Sequence, residues 1–211
     1  MQIVHILLDR NADFQKADKY GHTPCYIAAM YGHENIVRLL HEIGADVNQP
    51  DNHGTTPCHI AAERGRENIV RFLHEIGADV NKADNNGRTP CYIAANNGYE
   101  NIVRFLHEIG VDVNKPDNSG ETPCWIAAER GRENVVRFLH DIGADVNKPD
   151  KFGQTPCFIA AWNGYENIVR FLHEVGVDVH RPDNEGKTPL QIARERNKTA
   201  VVAFLENLPS P

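Results

Sequence analysis

Residues 51–81 read DNHGTTPCHIAAERGRENIVRFLHEIGADVN, and this stretch decides the fold because the chain repeats it. The Thr-Pro step inside it recurs at Thr23, Thr56, Thr89, Thr122, Thr155 and Thr188, each 33 residues after the last. A fixed period of that length marks a stack of small units, none of which can bury its apolar face alone.

Each part of the stretch has a local reason. Asp51-Asn52-His53-Gly54 is a turn in which glycine takes the positive φ that other residues resist, so it forms the tip of a hairpin-like loop. Thr56 suits a helix N-cap and Pro57 the first helical position. Cys58 to Arg64 then gives about two turns of inner helix before Gly65 stops it. From Glu67 to Ile76 the apolar residues Ile69, Val70, Phe72, Leu73 and Ile76 keep helical spacing, and Gly77 ends this outer helix. Helices this short are marginal in water, so stacking must supply the core.

The full unit, D-x-x-G-x-T-P-C-x-I-A-A-x-x-G-x-E-N-[IV]-V-R-[FL]-L-H-[ED]-[IV]-G-[AV]-D-V-[NH], resembles the ankyrin repeat along the whole chain. The resemblance implies an all-α repeat solenoid of helix-turn-helix units with β-turn tips. The expected organisation is one domain: a half repeat at 1–20, repeats at 21–53, 54–86, 87–119, 120–152 and 153–185, and a capping repeat at 186–211. Ile3-Val4-His5-Ile6-Leu7-Leu8 aligns with the outer helix that begins Ile36-Val37, which leaves either a fragment of a longer array or a half repeat acting as a cap. At the other end Arg194 replaces the second Ala and Lys198-Thr199 replaces Glu-Asn, the polar changes a cap needs. A longer period lies inside the first. Glu-Arg-Gly-Arg occurs at 63–66 and 129–132, Asn-Gly-Tyr at 97–99 and 163–165, and Ala78, Val111, Ala144 and Val177 alternate. Duplication of a 66-residue pair accounts for this.

Twenty-two Lys and Arg against 29 Asp and Glu give a formal charge of −7, which argues against a phosphate backbone as partner and favours a basic or neutral protein surface. No signal segment and no run of about 18 apolar residues is present, so the expectation is a soluble, non-exported chain, not on a membrane and monomeric. Cys25, Cys58, Cys91, Cys124 and Cys157 stand where the repeat pattern usually carries Leu, and read as small buried hydrophobes. Equivalent positions of stacked helices lie roughly 8–10 Å apart, beyond the ~7 Å that a disulfide allows, so free thiols and a reducing cytoplasmic or nuclear compartment are expected. His41, His74, His107, His140 and His173 fall in the last turn of each outer helix, where the helix dipole favours positive charge. With no C-x-x-C, no H-x-x-x-H and no phosphate-binding glycine motif, neither metal, cofactor nor catalysis is expected.

Subtracting the shared positions leaves the surface that can vary without harm to the scaffold. It comprises the tips (Tyr20, His53, Asn86, Ser119, Phe152, Glu185), the residues before Thr (His22, Thr55, Arg88, Glu121, Gln154, Lys187) and the inner-helix ends. Those ends are Met30-Tyr31, Glu63-Arg64, Asn96-Asn97, Glu129-Arg130 and Trp162-Asn163, which in proteins resembling this family line the groove that grips partners. The His that usually follows Thr-Pro-Leu in the family, and ties neighbouring loops, is here Tyr26, His59, Tyr92, Trp125, Phe158 and Gln191. Aromatics there should remove some of that tie. Each lies four residues before a groove position, so the rings either reach the groove as anchors or fill space around the small Cys. Glu63-Arg64 and Glu129-Arg130, within Glu-Arg-Gly-Arg, likewise read either as contact charges or as a lattice of surface ion pairs between neighbouring repeats.

The leading expectation is a non-enzymatic protein-binding scaffold or adaptor, with the apolar half of its site at Trp125, Phe152, Phe158 and Trp162. A second is a substrate for an asparaginyl hydroxylase, because Leu-x5-Asp-Val-Asn at Asn48, Asn81, Asn114 and Asn147 resembles the motif hydroxylated in ankyrin repeats, although a plain turn explains the same residues. A third is an idealised, engineered array, against which Lys151-Phe152, Val177, His180 and Asn197-Lys198 read as drift.

Overall fold

The computed structural model describes residues 13–208, so the alignment at residues 3–8 lies outside the described residues. Among these residues there are twelve helices and no β-strand. The helices are α1 (Pro24–Tyr31), α2 (Glu34–Glu42), α3 (Pro57–Glu63), α4 (Glu67–Glu75), α5 (Pro90–Asn97) and α6 (Glu100–Glu108). They continue as α7 (Pro123–Glu129), α8 (Glu133–Asp141), α9 (Pro156–Asn163), α10 (Glu166–Glu174), α11 (Pro189–Glu195) and α12 (Thr199–Glu206). The architecture is an all-α solenoid of helix-turn-helix repeats. The chain forms two compact units, Met1–Ile93 and Ala94–Pro211, with the division inside α5. In the first unit α1 packs on α2 and α3, and α3 on α4. In the second α9 packs on α7, α10 and α11, while α10 packs on α8 and α12.

The Thr-Pro step does what its chemistry suggests. The Thr122 hydroxyl accepts from the Trp125 N–H at 3.1 Å and Thr155 from Phe158 at 3.1 Å, with Pro next in the helix. Each such cap is worth about 1 kcal/mol. The outer helices lack a side-chain cap, but α2, α4, α6, α8 and α10 open on a Glu and carry a His in the last turn, both favourable to the dipole.

The tips are joined along the stack by their backbones. The Asp51 carboxylate accepts from the N–H groups of His53 and Thr55, both at 2.8 Å, which fixes the turn. Gly54 sits there at φ +81°, and a Cβ would lie 2.8 Å from the Asn85 backbone nitrogen, so only glycine fits. The Asn52 N–H donates to Tyr20 and its amide to Lys19 O, while in the second unit the Asn184 N–H donates to Phe152 and its amide to Lys151 O. Lys151, irregular in sequence, donates through Nζ to Asn118 O and so keeps the ladder that Asn makes elsewhere.

On the outer helices a second ladder joins repeats. Phe72 lies under the Arg38 guanidinium at 3.9 Å and edge-on to His41 at 6.2 Å. Phe171 is held in the same way by Arg137 and His140, and Phe138 by Arg104 and His107. Each Arg is also paired four residues back, as Arg137 is with Glu133 at 2.8 Å. The histidine ladder therefore packs against the next repeat as well as facing its own helix end.

All five cysteines are free and buried. Burial, reinforced by an aspartate of the following turn, pushes the Cys58, Cys124 and Cys157 thiols up to about 12. A thiol reagent at pH 8 should therefore leave the folded protein unmodified over minutes and label all five cysteines in denaturant, as intact mass would record. Fast labelling of the folded protein would contradict the placement of the ladder.

Candidate functional site

The residues after Thr-Pro-Cys are interior: Tyr26, His59, Tyr92, Trp125 and Phe158 are all at most 5% exposed. This corrects the expectation that they form an exposed stripe of anchors, and the packing alternative holds for these five. At Trp125 it also corrects the expectation that aromatics loosen the tie between loops, whereas at Phe158 that expectation stands. The Trp125 indole N–H donates to Gln154 O at 2.8 Å, and His59 Nε2 meets Arg88 O at 3.0 Å. Burial, followed by the Asp51 charge, pushes the Tyr26 hydroxyl up to about 12. Indole and imidazole, two different ring chemistries, thus reach the same place, the tip of the next repeat. Phe158 has no polar atom and packs tilted against Trp162, 6.4 Å between centroids.

His59 is held neutral. Its Nδ1 accepts the Thr56 N–H at 3.2 Å, leaving Nε2–H to donate to Arg88, and burial lowers its pKa.

In the first unit the variable positions gather around the first two tips. His22 stacks on Tyr26 at 4.6 Å and meets Asp18 at 3.2 Å, and the exposed Tyr20 ring lies beside it. Tyr31 is 62% exposed, Met30 half-buried and His53 exposed. Arg64 pairs with its neighbour Glu63 at 3.4 Å, and Arg88 with the buried Asp84 at 2.7 Å.

The second unit brings together a more structured surface. Arg130 donates to Asn96 Oδ1 at 3.1 Å and pairs with Glu129 at 3.3 Å, so the ion pair lies within one repeat and the link between repeats runs through an amide. Asn97 and Glu121 are half-buried, and the Asn163 amide turns back to Ile159 O. Phe152 stands out at its tip, 65% exposed. Beside it a cleft of about 300 Å³ is lined by Phe152, Gln154, Trp162, Asp183, Glu185 and Lys187, with Asn184 at its edge. Trp162 is half-buried and carries the Arg196 guanidinium 3.8 Å above its ring. Lys187 pairs with Glu195 at 2.9 Å.

The sequence singled out Phe152 and Trp162 but not Arg196, the residue 33 positions after Asn163. The register held that signal, since the capping repeat carries its own inner-helix end.

The Asp-Val-Asn turns divide by the longer period. Asn48 Oδ1 accepts from the Asp79 N–H and Asn114 Oδ1 from Asp145, both at 2.9 Å. The Asn147 oxygen is buried with no hydrogen-bond partner among the described residues, and there the following Asp178 is preceded by Val177 in place of Ala78 or Ala144. Asn81 is half-buried. Among the described residues no group of three His, Cys, Asp or Glu could hold a metal, and no helix is long and apolar enough to cross a membrane.

Comparison with protein families agrees with this geometry. The family described as Ankyrin repeats (3 copies) matches residues 1–84 and 73–150, and that described as Ankyrin repeats (many copies) matches 139–193. The chain belongs to the ankyrin repeat family, whose repeats are generally protein–protein interaction modules. Comparison with curated proteins gave no match.

Two outcomes follow for the buried rings. Trp125→Phe keeps the packing and strands the Gln154 carbonyl, and should cost about 1–2 kcal/mol in a urea melt; no loss would mean that the bond contributes nothing. For His59 the folded-state pKa lies below the ordinary value near 6.5, so stability present above that pH is lost as pH falls through it, because the unfolded chain takes up the proton first. Melting midpoints between pH 7.5 and 5 should fall further for the parent than for His59→Tyr.

Proposed function

We propose that this chain is a non-enzymatic protein-binding module that docks a partner protein on the tips and inner-helix ends of residues 94–211. The observation that carries this reading is Phe152, a phenyl ring 65% exposed at a tip whose backbone is fully bonded, next to a cleft walled by Trp162. A large exposed apolar side chain next to a concavity is the usual form of an interface anchor, and Trp and Arg are enriched among such anchors. Glu129 and Arg130 lie on the inner helix preceding that of Trp162 and supply the polar rim.

A non-enzymatic role is supported by the placement of the nucleophile candidates: the Cys25, Cys58, Cys124 and Cys157 thiols are buried and pushed up to about 12, and the histidines of α2, α6, α8 and α10 pack edge-on to phenyl rings. Five free buried cysteines fit a reducing cytoplasmic or nuclear compartment. The formal charge of −7 fits a protein partner better than a nucleic acid.

The test is affinity capture from a reducing cell lysate with the parent chain, with Phe152→Ala/Trp162→Ala, and with Tyr31→Ala, after thermal melts show that all three fold. A protein captured by the parent and by Tyr31→Ala but lost with the double variant supports the reading. Equal capture by all three would move the site elsewhere.

A further inference from the structure

The cleft beside Phe152 has a chemistry of its own, and resting on the binding role proposed above, we infer that it takes a lysine or arginine side chain of an extended, basic peptide segment.

The apolar part is the exposed Phe152 ring and the part of Trp162 that lines the cleft. The polar part is acidic. Asp183 spends one carboxylate oxygen on the N–H groups of Glu185 at 3.0 Å and Lys187 at 2.9 Å, leaving the other. The Glu185 carboxylate is exposed at the next tip and makes no hydrogen bond or ion pair among the described residues. Lys187, the one cation among the lining residues, is paired with Glu195 at 2.9 Å, and Arg196 lies over the Trp162 ring at 3.8 Å. Two carboxylates, Asp183 and Glu185, therefore face one paired cation in the lining. Lys187 registers them, held above its ordinary value first by the Glu195 bond and further by the Glu195, Glu185 and Asp183 charges.

An aliphatic stem ending in a cation matches this sequence of surfaces. Lysine and arginine lay their methylenes along apolar rings while the charged head stays in water beside a carboxylate. An acidic segment would meet the open carboxylates of Asp183 and Glu185, and Lys187, the cation among the lining residues, is already paired with Glu195. A purely apolar one would leave those carboxylates facing an apolar surface. The cleft, at about 300 Å³, holds one long side chain and not a folded domain, so the segment that enters it is extended.

The test selects binders from a phage-displayed library of random short peptides on the parent chain, on Phe152→Ala and on Glu185→Lys. The tip turn is set by Asp183 and the backbone, so the Glu185 change leaves the fold intact, which a thermal melt verifies. The expected result is enrichment of Lys or Arg next to a bulky apolar residue. The synthesised peptides should lose at least about tenfold in affinity on each variant and weaken with salt. Enriched sequences that need Phe152 but show no preference for basic residues, or an unchanged affinity for Glu185→Lys, would overturn the basic segment and leave the binding face standing. Peptides indifferent to Phe152, or no enrichment on the parent, would overturn both.

Discussion

The contact on which the rest of the molecule depends is the close approach of neighbouring inner helices across paired alanines. Ala29, Ala62, Ala128 and Ala161 are fully buried, as are their partners Ala61, Ala127 and Ala160, and Ala28 nearly so. The helices that carry them have seven or eight residues, too few to be stable alone, so they exist because a neighbour covers them. Two methyl groups let the backbones come near, which in turn brings the ring after Thr-Pro-Cys within reach of the next tip. The small cysteine makes room beside it. Where Arg194 takes the place of the second alanine, its side chain lies at the surface and pairs with Glu206 at 2.7 Å.

The fold was legible because the period fixes every local decision at once. Thr56, Pro57, Gly54 and Gly77 each act through their own backbone or the next few residues, and such short-range choices can be read from one strip of sequence. The destination of a ring cannot. His59 and Trp125 both bond to carbonyls 29 residues further on, and the spacing within their own helix allows a groove orientation as readily. Burial of that layer decides between them, because a ring pointing outward would leave the space around cysteine empty. The variable positions were legible by subtraction, and Phe152 is as exposed as a tip residue should be. The engagement of Trp162 by Arg196 was not, since it joins two different repeats through side chains that share no repeated pattern.

The longer period also has a physical side. At the turn between inner and outer helix, four repeats place a side chain over the glycine of the one before: Arg66 over Gly32, Arg132 over Gly98, Tyr165 over Gly131 and Lys198 over Gly164. A Cβ at Gly131 would lie 2.7 Å from the Tyr165 ring, so the glycine is required by its neighbour as much as by its φ of +68°. In the second unit Arg130 and Arg132 then bond Asn96 of the preceding repeat, while Tyr165 offers its ring. Neighbouring repeats thus meet through alternating chemistries, and two repeats, rather than one, carry a complete set of contacts.

That arrangement explains how a surface can vary on so regular a frame. At a tip, the backbone is held by the aspartate before it and by the tip ahead in the stack: Phe152 has its N–H on Asp150 and its carbonyl on Asn184. Nothing in that scheme consults the side chain, so tyrosine, histidine, asparagine, serine, phenylalanine and glutamate occupy the same place in successive repeats at no cost to the helices behind them. An exposed phenyl ring at such a position contributes little to folding and presents apolar area to water. That separation of tip side chain from tip backbone is the physical ground on which the binding role proposed for Phe152 rests.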